Sequence, residues 1–447
     1  MLRRLAIALI LSTVCLAQDK PQSEMVARME QIVQSYVPTK QFMGTVLVSQ
    51  NGKVLLDKGY GFANLEWQVP NTPTTKFRLG SITKQFTAAS ILLLEERGKL
   101  KVEDPVKKYM PDAPAAWDKV TIFHLLTHTS GIPSFTSFPD YESKQAQAMT
   151  PQQLVDWFKD KPLEFEPGSK WNYSNSGYVL LGYLIEKISG QSYADFVQQN
   201  IFTPLGMKDS GYDSNSALIV HRAAGYSRGK DGPENAGFVN MTVPLSAGGL
   251  YSTTEDLLRW EEGLFGGKVL KPESLAKMTT PFKEDYAFGL GVGTQNGHKR
   301  INHNGGIQGF NTSLAYYPDD KLVVAVLANL NGPFADQLAG QLAQVAHGEK
   351  IVLVSERKEI AISPKILAQY VGNYQVEPSF SIAITVEGDH LMAQATNQGK
   401  NQLFAESETQ FFLKTVDAQV EFVKNDKGAV AAMILHQYGR STRAEKK

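Results

Sequence analysis

The stretch INHNGGIQGFNTSLAYYPDDKLVVAVLAN, residues 301–329, decides how this chain folds. Residues 299–303, 311–317 and 322–329 read as strands, and Pro318-Asp319-Asp320 supplies a turn between the last two. Far upstream, residues 42–56 alternate apolar and polar around Asn51-Gly52, a dipeptide that suits a two-residue hairpin turn. From Ser81 the period changes. Ile82, Phe86, Ala89 and Leu93 recur at helical steps, and Gly98 stops the run as a C-terminal cap. Residues 100–256 read as helices with Pro- and Gly-rich connections. Strands therefore open and close this region while helices fill its middle. The predicted fold is α+β: one antiparallel sheet built from both ends, flanked by helices, with a helical cluster inserted. A site is expected in the crevice between sheet and helices.

A second region begins near Val352. Ile382, Ile384 and Val386 alternate, Glu387-Gly388-Asp389 turns the chain, and Leu391, Ala393 and Ala395 alternate again. Residues 420–434 repeat the scheme around Asn425-Asp426-Lys427-Gly428. The pattern predicts an all-β domain over residues 352–447, a small barrel or sandwich.

The chain has 447 residues, of which 42% are hydrophobic, and its 45 Lys and Arg balance 45 Asp and Glu. That composition suits a globular protein, and the absence of any long basic block argues against nucleic acid as a partner. Residues 1–17 differ. A basic Leu2-Arg3-Arg4 start, an apolar run over residues 5–16 and a small Ala17 have the layout of a cleaved secretory leader, too short for a membrane span. A secreted or periplasmic protein is expected. The single cysteine, Cys15, lies inside that leader, and Ser12-Thr13-Val14 before it makes a poor lipid-attachment signal. After cleavage there is no disulfide, no thiol nucleophile and no cysteine metal ligand.

Within FRLGSITKQFTAAS, residues 77–90, Ser81 and Lys84 stand three apart. On a helix that spacing puts them on one face, so the amine reaches back to the hydroxyl. A serine needs such a base, and a lysine serves as one only when deprotonated by burial or by other cations. By itself the motif is weak, since Ser-x-x-Lys arises by chance about once in a chain of this length. Tyr173-Ser174-Asn175 follows a Pro167-Gly168 loop and opens the next helix. There a phenol near a lysine ammonium would have its pKa pulled down and act as general base or acid, while Asn175 would hold a substrate carbonyl. The plainer alternative is a tyrosine packed under a turn and an asparagine capping a helix. In His303-Asn304-Gly305-Gly306 the glycines let a strand approach a ligand closely, so that an N–H there joins that of Ser81 in an oxyanion hole.

These three motifs, in this order, resemble the serine β-lactamase and penicillin-binding-protein superfamily, in particular its class C β-lactamase-like branch of esterases and D-amino-acid peptidases. The resemblance spans about residues 25–347 and extends to LLTHTSGI, EPGSKWNYSNSGYVLLGYLIEKISG, SAGGLYSTTEDLLRW and HNGGIQGFNTSLAYYPDDKLVVAVLAN. It implies a hydrolase domain over residues 25–350. It implies Ser81 as the acylated nucleophile, Lys84 as its base, Tyr173 as proton shuttle, and Asn175, His303, Gly305 and Gly306 as substrate-binding residues. His303 stands where β-lactamases and transpeptidases usually carry lysine. Histidine is mostly neutral near pH 7, which favours an esterase, amidase or peptidase over an antibiotic hydrolase. The implied substrate is a small molecule or peptide, cell-wall material included, and the reaction needs no cofactor.

Other residues attract attention without earning a role. His124 and His128 have metal-pair spacing, but Leu125 replaces the glutamate a zinc protease needs, so no metal is expected. Glu164 and Glu166 read as surface residues of a loop. Trp157, Trp171 and Trp260 read as core. Phe135, Phe138 and Tyr141 are candidates for the pocket mouth. A rival to the acyl-enzyme is a catalytically silent peptidoglycan- or ligand-binding module on the same scaffold.

Overall fold

The structure is a computed structural model that describes residues 8–415, 418–437 and 440–447. The leader expected over residues 1–17 begins in residues 1–7, which lie outside the described residues. From there the backbone is helical over α1 (Ala8–Tyr36), running through Pro21, where a break is expected. No helix among the described residues is long and apolar enough to cross a membrane. The chain divides into two compact units, Met1–Glu349 and Lys350–Lys447.

In the first unit the hairpin around Asn51-Gly52 joins β1 (Gly44–Gln50) and β2 (Lys53–Tyr60). Both turn residues have positive φ, 51° and 77°, the conformation a tight twisted hairpin demands. The distal strands are β3 (Gly291–Gln295), β4 (His298–Ile307), β5 (Phe310–Tyr317) and β6 (Leu322–Ala328). They form one antiparallel sheet in the order β3-β4-β5-β6-β1-β2. The two ends of the unit meet where Val46 lies opposite Val326. Strand β6 is buried along its whole length, because helices cover both faces. One face carries α1 and a helix at Phe334–Ala346; the other carries the helix Thr254–Phe265.

The inserted cluster centres on α2 (Thr83–Glu96) and α3 (Asn175–Ser189). Helix α2 is buried almost all round, and its polar side chains are tied down internally: Gln85 Oε1 accepts from Trp260 Nε1 at 2.8 Å and Ser90 donates to Phe86 O at 2.7 Å. Gly98, at φ 67°, follows its last turn as expected. The middle section is not purely helical. Phe77–Arg78, Leu250–Ser252 and Gly211–Tyr212 pair into a small sheet with Leu250–Ser252 central. Strands of two and three residues are too short to leave an alternation in the sequence.

The second unit is a closed barrel of eight antiparallel strands, which resolves the choice between barrel and sandwich. Its first strand, Gly372–Glu377, pairs with its last, Arg440–Lys446, and so removes the free edges. Tyr370, Tyr374, Phe411 and Phe422 fill the interior, with Tyr370 stacked on Phe422 at 4.2 Å between ring centroids.

Glu261, on the helix over the sheet, is 3% exposed, and among the described residues no cation pairs with it. Burial raises its pKa from 4.5 to about 8. Between those values the unfolded chain is ionised at this position while the folded chain holds a proton, so stability falls as pH rises. Glu261→Gln removes the titration. The stability of the variant relative to the parent should grow by about 3 kcal/mol between pH 5 and pH 8. Urea unfolding at the two pH values measures this, and an unchanged gap would show that Glu261 is not held neutral.

Candidate active site

Three chain segments converge on one crevice of the first unit. The first begins where the strand Phe77–Arg78 ends. Gly80 takes φ 54°, a single turn spans Gly80–Ile82, and α2 starts at Thr83. Ser81 is half-buried on that turn. Glycine is required at two places around it. A Cβ on Gly80 would lie 2.9 Å from Gly306 N, and one on Gly305 would lie 2.0 Å from Leu79 O. Strand β4 therefore lies backbone against backbone on the turn that carries Ser81. Thr312 fastens the pair, its Oγ1 donating to Leu79 O at 2.7 Å. Gly306 reaches the crevice and lines it with Ser81, whereas Gly305 packs against Leu79 and is not among the lining residues.

One turn further, Lys84 is fully buried. Its Nζ lies 2.9 Å from Ser81 Oγ, 2.8 Å from Asn175 Oδ1 and 2.8 Å from Ala247 O. Among the described residues no carboxylate pairs with it. Burial alone pushes its pKa well below the usual lysine value. A neutral amine satisfies all three neighbours: two N–H groups donate to Asn175 and Ala247, and the lone pair accepts from the serine hydroxyl.

The second segment brings Tyr173 and Asn175. Ser174 caps α3, its hydroxyl accepting from Gly177 N at 3.3 Å, and this orients the residues on either side. Tyr173 hydrogen-bonds Ser81, and its ring centroid is 4.8 Å from Lys84 Nζ. Part of the ring reaches the surface, but the phenol end is enclosed. That enclosure pushes the phenol up, outweighing its hydrogen bond with Ser81. The expectation that a lysine cation would pull Tyr173 down is thus reversed, because desolvation of the phenol dominates. Asn175 lines the crevice. Its Oδ1 is taken by Lys84 and its Nδ2 donates to Thr136 Oγ1 at 3.2 Å, which leaves one N–H for a substrate.

The third segment places His303 differently from its glycines. It is 5% exposed and does not line the crevice. Its ring belongs to a directional chain of hydrogen bonds behind the site. Ser174 N donates to His128 Nδ1 at 3.1 Å, so His128 carries its proton on Nε2, which donates to the Tyr286 hydroxyl at 3.2 Å. Tyr286 donates to His303 Nε2 at 2.9 Å, and His303 Nδ1 donates to Asn304 O at 2.6 Å. Both imidazoles are neutral. Burial lowers His303 to about 4 and lowers His128 as well. The His128 ring also lies 4.3 Å from that of Tyr173 and walls it in.

His128 thus packs beside the site, whereas His124 turns away to cap its own helix at Thr121. Glu164 and Glu166 are exposed, and Trp260 is buried; Trp157 and Trp171 are only partly buried. Phe135 and Tyr141 line the crevice, while Phe138 packs on Trp157. Sequence reasoning misses Tyr286 and the Ala247 carbonyl. Neither sits in a local pattern that points to Ser81. One other trio, His298, His347 and Glu349, brings its ligand atoms within 4.8 Å of one another. Its two imidazoles lie flat on each other, 3.7 Å apart at 6°, so their in-plane lone pairs run side by side instead of converging on an ion.

The crevice is a cavity of about 450 Å³. At its edge a hydroxyl meets a buried amine and a phenol held protonated, facing a glycine backbone. Residues 29–347 match the family model described as Beta-lactamase, and residues 356–446 match a Domain of unknown function (DUF3471). The chain is 32% identical over 432 residues to penicillin-binding protein 4* of Bacillus subtilis, a match that covers 90% of this chain and 95% of that one. The octameric penicillin-binding protein homologue from Pyrococcus abyssi superposes with TM-score 0.68 at 27% identity, over 94% of this chain and 100% of the other. A D-stereospecific amidohydrolase from Streptomyces sp. superposes with TM-score 0.60 at 26% identity, over 72% of this chain and 98% of the other.

Proposed function

Because the chain belongs to the beta-lactamase family of serine hydrolases, we propose that it cleaves an ester or amide, peptide-like or β-lactam-like, through an acyl-enzyme on Ser81. The observation that carries this reading is the fully buried Lys84 amine, with no acid partner among the described residues, 2.9 Å from Ser81 Oγ. Lys84 takes the hydroxyl proton as Oγ bonds to the substrate carbonyl carbon. The electron pair of the carbonyl moves onto oxygen, where the backbone N–H groups of Ser81 and Gly306 receive it. The tetrahedral centre collapses, the bond to the leaving group breaks, and Tyr173 gives its proton to the departing nitrogen or oxygen. The proton held by Lys84 restores the phenol. Water then attacks the ester carbonyl carbon and the same groups accept its proton; the bond to Oγ breaks, that proton passes to Oγ, and the acid leaves. A raised phenol pKa suits this use, since the tyrosine enters each cycle protonated.

The penicillin-binding and amide-cleaving names of similar proteins support the ester and amide class. The basic start and apolar run of residues 2–16 support export by a cleaved leader. A panel of p-nitrophenyl esters, D-amino-acid amides and a cephalosporin tests the reaction class. Tyr173→Phe should lower kcat on the amides by about 10²-fold. The loss should be smaller on p-nitrophenyl esters, whose leaving group departs without a proton. Equal losses on both would remove Tyr173 from the leaving-group step.

A further inference from the structure

We infer that the part of the substrate seated in the cavity carries no charge, an inference that rests on Ser81 being the nucleophile. Phe135, Val239, Val243 and Ile307 give the walls their apolar part. The polar side chains among them, Asn175 and Gln308 included, are all neutral. Among the described residues no Lys, Arg, His, Asp or Glu lines the cavity. His303 is turned onto Tyr286, and Lys84 lies behind Ser81 with its three neighbours already assigned.

Gln308 is one of the polar side chains that line the cavity. Its Nε2 donates to Gln145 Oε1 at 2.5 Å, and Tyr141 also bonds it. Asn331 is spent on holding the adjoining turn, donating to Ile307 O and Phe310 O and accepting from Gly309 N. An amide group on the substrate can exchange with the Gln145–Gln308 bond in kind. A carboxylate would meet the Gln145 carbonyl oxygen, and an ammonium would find no anion among the described lining residues, Glu142 being held back by Gln145 Nε2 at 2.6 Å. Either charge would give up its water without a counter-ion to replace it. The acyl portion is therefore a neutral, largely apolar group, with an amide as its polar handle, and neither a free terminal carboxylate nor a free amine.

The test uses the full-length protein and three acyl chains of matched length: p-nitrophenyl butyrate, mono-p-nitrophenyl succinate and the p-nitrophenyl ester of β-alanine. The expected kcat/KM for butyrate exceeds that for each charged ester by about tenfold or more, after correction for spontaneous hydrolysis. Gln308→Lys should raise the succinate-to-butyrate ratio by about fivefold or more by supplying the missing cation. A parent enzyme that takes either charged ester as well as the neutral one overturns the inference, while labelling of Ser81 by a fluorophosphonate keeps the acyl-enzyme reading intact. No turnover of any ester together with an unlabelled Ser81 overturns both.

Discussion

Replacing Ser81 with alanine should lower kcat on esters and amides by on the order of 10⁵-fold, to the level of residual binding effects. The size follows from the role: without the hydroxyl there is no covalent path, and the oxyanion donors are left to act on water alone. The fold should survive. Ser81 is half-buried on a surface turn, and its loss leaves Lys84 bonded to Asn175 and Ala247. Gly80, Gly305 and Gly306, which set the turn against β4, are untouched. A melting temperature within a few degrees of the parent, about the effect of a 1 kcal/mol change, would show that the lost turnover is chemical. Normal turnover in Ser81→Ala would remove the nucleophile from the account.

Lys84→Met should cost about 10³-fold in kcat/KM, and Lys84→Arg should fail to restore it. The arginine result separates two roles. If the residue served only as a fixed positive charge, a guanidinium would substitute in part. A base must lose its proton, which arginine does not do in a protein. The pH profile carries the same distinction. Burial lowers the lysine pKa, so the deprotonated, active form appears at lower pH than for a free lysine. In the parent, kcat/KM should rise with pH and level off well below 10.5, the ordinary lysine value. A limb that keeps rising to that value would mean the amine is charged in the resting enzyme.

Much of this site is legible in the sequence because its signals are local. Asn51-Gly52 declares a hairpin through the positive φ it tolerates, and Ser81 and Lys84 declare one helix face by their spacing. Gly305 and Gly306 announce a close approach, although only contact with Leu79 and Gly80 reveals that they approach the turn that carries Ser81. What the sequence hides is burial and long-range closure. The wrong sign for Tyr173 comes from reasoning about one neighbouring charge without knowing that both groups are desolvated. Likewise His303 reads as a ligand-facing histidine until Tyr286, unmarked by any motif, is seen to accept from His128 and donate to His303. The barrel is similar. Its closure depends on pairing Tyr374 with Lys446, and no local pattern distinguishes that from an open sandwich.

The most direct measurement is to react the full-length protein with a fluorophosphonate, follow residual ester turnover, and map the adduct by mass spectrometry. The account predicts one adduct per chain, on the peptide containing Ser81, with turnover falling in proportion to its formation. Turnover that survives complete modification, or an inactivating adduct on any other residue, would contradict it.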